Sequence, residues 1–131
     1  MSRTVYRCIP ADRLPARLPT RRPLLMVCNT DPHYRRGTHW IAIYLGSNFR
    51  GEYYDSFGQA PPPVFERYMN KLRTNWIIND RQLQSATSRF CGQYCIFYCL
   101  FRSLDYSMEK IKYTDTGLND VFVHAIVCKL I

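Results

Sequence analysis

Cys91, followed by a glycine and opening an apolar stretch, is the side chain of this 131-residue sequence best placed to act as a nucleophile. The segment Cys91–Ser103 is apolar on nearly every side, which predicts a buried central helix. A thiol at the start of such a helix feels the positive end of the macrodipole, which lowers its pKa and favours the reactive thiolate. Gly92 would let another backbone, such as that of an acyl substrate, approach closely. Cys95 and Cys99 lie deeper in the same helix and read as small buried side chains. Cys91 taken alone admits that bland reading too.

A thiolate needs a base, and the base needs an orienting partner. His39 stands in the β-branched, aromatic run Thr38–Leu45, a strand signal, and Asp55 ends a returning run, Glu52–Asp55. Both positions are odd, so unbulged strands would point them to one face. A hairpin closing at the Gly46-Ser47-Asn48 turn would set them directly opposite, with Cβ atoms about 4.5–5.5 Å apart. A carboxylate there can fix the imidazole tautomer and stabilise the imidazolium. A bulge at Gly51 would break that register, and the other reading is a surface histidine beside a strand-end aspartate. Gln84, seven residues before Cys91, could donate its side-chain amide to a developing oxyanion, with the Cys91 N–H as second donor. Gln82 is its rival.

The elements that would position these residues form one domain, 1–131, of the α+β class. The expected architecture is an antiparallel β-sheet packed around a buried central helix that carries the nucleophilic cysteine at its N-terminus. Residues 1–23, with four prolines, read as an irregular basic lead-in strapped over a surface. Leu24–Cys28 is wholly apolar, as a strand buried on both faces would be. Residues 29–37 read as a loop, and residues 64–74 as an amphipathic helix with Pro63 at its start. Trp76–Ile78 and Arg81–Gln84 read as further strands, and Asn119–Ile131 as a last helix with Asn119 as N-cap.

Charge is concentrated at one end. Residues 1–50 hold nine arginines against two aspartates, a net +7, whereas residues 51–131 balance nine basic against eight acidic residues. Such a field suits a polyanion, and Arg17, Arg21, Arg22, Arg35 and Arg36 are the candidate nucleic-acid contacts; a solvated surface is the other reading. No apolar h-region opens the chain, and no apolar run is long enough to span a bilayer, so neither a signal peptide nor a membrane association is expected. The six cysteines then read as thiols in a reducing compartment. Zinc is not expected, since no C-x2-C pair exists and Cys91, Cys95 and Cys99 recur at helical spacing.

Taken in order, VCNT at 27–30, GTHWIAIYL at 37–45, YDSFG at 54–58, LQS at 83–85 and FCGQYC at 90–95 resemble the blocks of adenovirus-type (adenain-like) cysteine proteases. Proteases of large virus-like DNA transposons share them, and the clan includes the proteases of ubiquitin-like modifiers. The resemblance covers about residues 24–104. It implies a papain-like fold and a cysteine endopeptidase in which Cys91 attacks a peptide carbonyl, His39 is the base and Asp55 orients it. Gln84 would line the oxyanion hole and Trp40 would pack beside the site. It further implies a capsid or core precursor as substrate, a monomer, and a place in the host nucleus or a virion-like particle. No cofactor would be required, although DNA or a peptide activator fits the family.

Three departures stand out. Asp55 replaces the glutamate of adenovirus enzymes and matches the modifier-protease branch, whereas Phe90 replaces the aspartate that usually precedes the nucleophile in that branch. Between Cys28 and Cys91 there is no cysteine for a disulfide-linked activator. The alternatives are therefore an isopeptidase for ubiquitin-like modifiers, or a catalytically inactive nucleic-acid-binding remnant. The chain is short for the family, which is what favours the remnant.

Overall fold

A computed structural model of the chain describes residues 5–17, 22–32, 34, 39–46, 50–72, 74–106, 108 and 116–130. Among the described residues there are five strands and three α-helices, in the order β1 (Val5–Pro10), β2 (Leu24–Asn29), β3 (Trp40–Leu45), β4 (Arg50–Tyr54), α1 (Pro63–Lys71), β5 (Asn75–Ile78), α2 (Cys91–Ser103) and α3 (Thr116–Leu130). The strands lie in one sheet in chain order.

The α+β class stands, but the sheet is mixed rather than antiparallel. The inner pairs β2–β3 and β3–β4 are antiparallel, as expected of a hairpin. The outer pairs β1–β2 and β4–β5 are parallel. The physical reason lies in the connections, because a parallel neighbour needs a crossover long enough to return the chain to the same end. The segment after β1 and the α1 region after β4 supply them. The lead-in is accordingly not irregular throughout: it contributes β1 and a short 3-10 turn at Ala11–Arg13. Its next residues do cross α1, where the Tyr68 hydroxyl donates to the Pro15 carbonyl at 2.8 Å.

Alternation along the strands divides the core in two. One sheet face presents Leu25, Ala42 and Tyr54 to α2 and α3 through Tyr94, Cys95, Phe97, Tyr98, Val123 and Val127. The other presents Leu24, Met26, Cys28, Ile41, Ile43 and Tyr53 to Phe65 and Met69 of α1. This explains why Leu24–Cys28 is apolar at every position: β2 is covered on both sides. The central helix α2 is buried between one sheet face and α3.

Helix α2 is pinned to that face at both levels of its length. The Tyr98 ring stacks on Tyr54 with centroids 4.3 Å apart, and its hydroxyl donates to buried Glu52. One turn on, Arg102 Nε stands 3.0 Å from Glu52 Oε1 in an ion pair without hydrogen-bond alignment, and the guanidinium lies over the Tyr44 ring. A charged pair this enclosed does more to define how α2 seats than to add net stability.

Local expectations fared unevenly. Pro63 does open α1, where its missing N–H costs nothing. Arg81–Gln84 is not a strand: the Leu83 and Gln84 amides both donate to the Ser56 carbonyl, outside any ladder. Asn119 is not an N-cap but an interior residue of α3, buried, with its amide donating to the Leu83 carbonyl at 3.0 Å. The expected turn residues Ser47 and Asn48 lie outside the described residues.

At Gly51 the absence of a side chain is a packing requirement. A Cβ there would come within 2.7 Å of two ring carbons of Trp76 on β5, whose indole N–H is tied to the Met69 carbonyl at 3.1 Å. Gly51→Ala should therefore destabilise the fold by about 1–3 kcal/mol, the usual cost of overpacking. Urea titration checks this, and the added substitution Trp76→Ala should reduce the incremental cost of Gly51→Ala.

Candidate active site

The β3–β4 ladder pairs Ala42 with Tyr54, Ile43 with Tyr53, Tyr44 with Glu52 and Leu45 with Gly51, without a bulge. Extended one step, it would set Asp55 against Ile41 rather than against His39. The register is offset by two residues from the one expected, and because two is the period of a strand the parity argument survives the shift. Both residues stand just beyond the ladder, at the same end of the sheet, and His39 Nε2 lies 2.9 Å from Asp55 Oδ1.

Asp55 is only 2% exposed, and its surroundings hold it as an acceptor. The Phe57 amide donates to the same Oδ1 at 2.8 Å. Its backbone carbonyl takes the Asn79 side-chain amide at 2.6 Å and the Gly58 N–H at 2.8 Å. Gly58, at φ +69°, turns the chain so tightly against Arg81 that a Cβ would meet the Arg81 carbonyl carbon at 2.6 Å. The imidazole is 16% exposed and has the Phe57 ring 5.2 Å away on one side. With Asp55 accepting from Nε2–H, the tautomer left to a neutral His39 keeps its lone pair on Nδ1. That atom is buried without a hydrogen-bond partner.

Cys91 is the first residue of α2, 7% exposed. No side chain caps the helix and no acid lies in its first turn, so nothing offsets the positive field of its amides. Burial alone would raise the thiol pKa, but His39 and the Trp40 and Gly92 backbone amides overcome it, and the Cys91 pKa falls below the ordinary thiol value. For His39 burial works downward, and Asp55 together with Cys91 reverse it, raising the imidazole to about 9. The shared direction is toward a thiolate beside an imidazolium, although Nδ1 and the sulfur have not closed a finished hydrogen bond. The other helix thiols go the opposite way: burial pushes Cys99 up to about 12 and Cys95 well above its usual range. Cys28, on the far face, also rises to about 12, chiefly by burial.

Trp40 and Gly92 meet beside Cys91. A Cβ on Gly92 would contact only Trp40 Cδ1, at 3.7 Å, so the remaining space around Gly92 is open. Gln84 is fully buried, whereas its rival Gln82 is exposed and merely donates to the Gln84 carbonyl. The Gln84 side-chain oxygen accepts from the Ser56 hydroxyl at 2.6 Å. Its amide nitrogen donates to the Ser88 carbonyl at 3.0 Å and approaches the Ser88 hydroxyl at 3.1 Å. That hydroxyl in turn accepts from the Phe90 amide. Gln84 thus grips the turn leading into Cys91. Sequence reasoning missed Ser56, Asn79 and Ser88; only Ser56 carried a signal, its place beside Asp55.

All six cysteines are free thiols, and no cluster of three or more metal-ligating side chains occurs among the described residues. No described helix is long and apolar enough to cross a membrane. Of the candidate nucleic-acid contacts, Arg17 and Arg22 lie within the described lead-in, while Arg21, Arg35 and Arg36 fall outside the described residues.

Comparison with known proteins bears on the same segment. No family model matches. The chain is 34% identical over 90 residues to the SUMO-1 cysteine protease S273R of African swine fever virus (isolate Tick/South Africa/Pretoriuskop Pr4/1996), across 58% of this chain and 32% of that protein. It is 30% identical over 102 residues to the counterpart from isolate Pig/Kenya/KEN-50/1950, across 67% of this chain and 35% of that one. Crystal structures of the ASFV pS273R protease superpose with a TM-score of 0.58, at 25% identity over 79% of this chain and 45% of the first, and 26% over 76% and 41% of the second. The chain is a homologue of these cysteine proteases. They belong to the clan of adenain-like and ubiquitin-like-modifier proteases. The match spans about a third of the length of the curated relatives.

The paired shifts predict how the site reacts. Alkylation of Cys91 by iodoacetamide should reach its plateau below the ordinary thiol range, because the folded thiol pKa is depressed. Cys28, Cys95 and Cys99 should stay unlabelled at neutral pH. In His39→Ala burial is no longer opposed by the imidazolium, so the Cys91 profile should move to higher pH. Mass spectrometry of the labelled protein across pH 5–10 (a range of about five units around the ordinary thiol pKa) reads all of this.

Proposed function

We propose that this chain acts as a cysteine peptidase in which Cys91 attacks a substrate carbonyl and His39 returns a proton to the leaving amine. The observation that carries the reading is the pairing of a depressed Cys91 with a raised His39 on an Asp55 carboxylate 2.9 Å away. In the paired state the thiolate carbon–sulfur bond forms as the carbonyl π electrons move to oxygen. Collapse of that adduct expels the amine, protonated by His39, and leaves a thioester on Cys91. Neutral His39 then takes a proton from water, hydroxide adds to the thioester, and the acid product leaves with Cys91 restored. Asp55 keeps the imidazole oriented through both halves and does not itself exchange the proton.

The oxyanion would be met by the Cys91 N–H at the uncapped end of α2 and by the Gln84 amide. Gln84 would share or exchange its Ser88 acceptors for the oxyanion as the acyl group arrives. Cys91→Ala should abolish hydrolysis with the melting temperature preserved, whereas Cys95→Ala and Cys99→Ala should retain hydrolysis. Equal loss in all three would remove the nucleophile from Cys91. Hydrolysis by the parent chain should follow a bell in pH, rising with thiolate formation and falling at about pH 9 as His39 loses the proton the leaving amine requires.

For the substrate we favour a capsid or core precursor of a virus-like element, cleaved as an endopeptidase would cleave it. The relatives' name, SUMO-1 cysteine protease, supports a second reading as a deconjugase of ubiquitin-like modifiers. Phe90 before the nucleophile favours the first. A fusion carrying the SUMO-1 C-terminus and a viral core polyprotein, offered in parallel, decides by which is cut. DNA contact through the arginine-rich lead-in, with Arg17 and Arg22 exposed or partly so, belongs to the same proposal, as does work inside a nucleus or particle. Affinity for duplex DNA should then fall steeply with salt; a flat response would remove the arginines from the account.

A further inference from the structure

Two segments that carry the site converge on one carboxylate that the catalytic reading does not use. Asp120, near the start of α3, accepts the Ser85 hydroxyl on Oδ2 at 2.6 Å and the Ser85 amide on Oδ1 at 3.3 Å. The same Oδ1 accepts the Tyr94 hydroxyl at 2.8 Å. Tyr94 belongs to α2, one turn after Cys91, and its own amide closes that turn on the Phe90 carbonyl. The Tyr94 hydroxyl also lies 3.2 Å from the Leu83 carbonyl. A hydroxyl has one proton to give, and the shorter, charged acceptor is the stronger claimant. The Leu83 carbonyl has a donor of its own in Asn119, the neighbour of Asp120, at 3.0 Å.

The residues on either side of Gln84 are therefore both fastened to consecutive residues of α3. The Gln84 amide is fastened to Ser56 at 2.9 Å, and its side chain runs on to Ser88 in the turn before the nucleophile. We propose that Asp120 is a positioning residue for the oxyanion side of this site, acting through Ser85 and Tyr94 on Gln84. The inference rests on the peptidase reading and on the donor role of Gln84. It assigns α3 a task beyond filling the core: its first turns set the distance between the oxyanion donor and the helix that carries the nucleophile. His39 and Asp55 approach from the sheet by a separate set of bonds, so nucleophile activation does not pass through Asp120.

That separation makes the test. Hydrolysis of p-nitrophenyl acetate by the full chain needs no knowledge of the natural substrate and reports acyl transfer to the thiol. Asp120→Ala should lower kcat about ten- to a hundredfold, short of the about 10²–10³ that loss of an oxyanion donor costs, with KM little changed. The pH profile of Cys91 alkylation should be unmoved. In a Gln84→Ala background the same substitution should have no further effect on kcat, because the group it positions is gone. Equal losses in both backgrounds, or a displaced alkylation profile, would overturn the proposal and leave Asp120 a general structural residue. Should Asp120→Ala not fold, Asp120→Asn keeps the shape and the Oδ1 acceptor, and a smaller loss that again vanishes beside Gln84→Ala is the expected result. Loss of hydrolysis in Cys91→Ala together with an unaffected Gln84→Ala would overturn the proposal while sparing the peptidase reading. Hydrolysis retained in Cys91→Ala would overturn both.

Discussion

Desolvation opposes both ions of the proposed catalytic pair. It favours the neutral thiol and the neutral imidazole, and each is enclosed enough for burial to be the largest influence on it. Each member is the other's counter-ion, Asp55 adds a negative charge against His39, and the Trp40 and Gly92 amides add to the pull on the thiol, so both groups shift toward their charged forms. Everything else in the arrangement serves to keep three groups from three distant stretches of chain within that mutual range. Were His39 to drift, burial would again favour the neutral thiol of Cys91.

The scaffold meets this demand by delivering the partners from rigid places. His39 and Asp55 stand at one end of two neighbouring strands covered on both faces, so their separation follows from ladder geometry. Cys91 is delivered by a helix clamped to the same sheet through Tyr98, Glu52 and Arg102, near the helix end remote from the nucleophile. The near end, held through Tyr94 to Asp120, carries no side-chain cap.

Much of this was legible in the residues because it is local or ordinal. The apolar Leu24–Cys28 announced a strand covered twice, and the parity of 39 and 55 announced a shared end even though the register is shifted by two. The Gly46 amide, which donates to the Arg50 carbonyl, belongs to the closing of the hairpin, a role that Gly46 as a turn glycine did not reveal. What stayed hidden depends on groups far apart in sequence. The outer strands pair in parallel because of what lies between them, not because of their own composition. Asn119 carries a helix-cap side chain, yet spends it on Leu83, thirty-six positions away. Arg81–Gln84 has strand-like composition, but one carbonyl, that of Ser56, claims two of its amides. Asp120 gave no sign at all, being one acidic residue among several.

The close approach of Trp76 to Gly51 has an evolutionary corollary. The indole occupies the volume that any side chain at 51 would need, and its N–H is committed to α1, so it cannot simply turn aside. Neither position can be read by natural selection independently of the other. Among sequences that share this frame, a side chain at 51 should be found only where the ring at 76 has given way to something smaller.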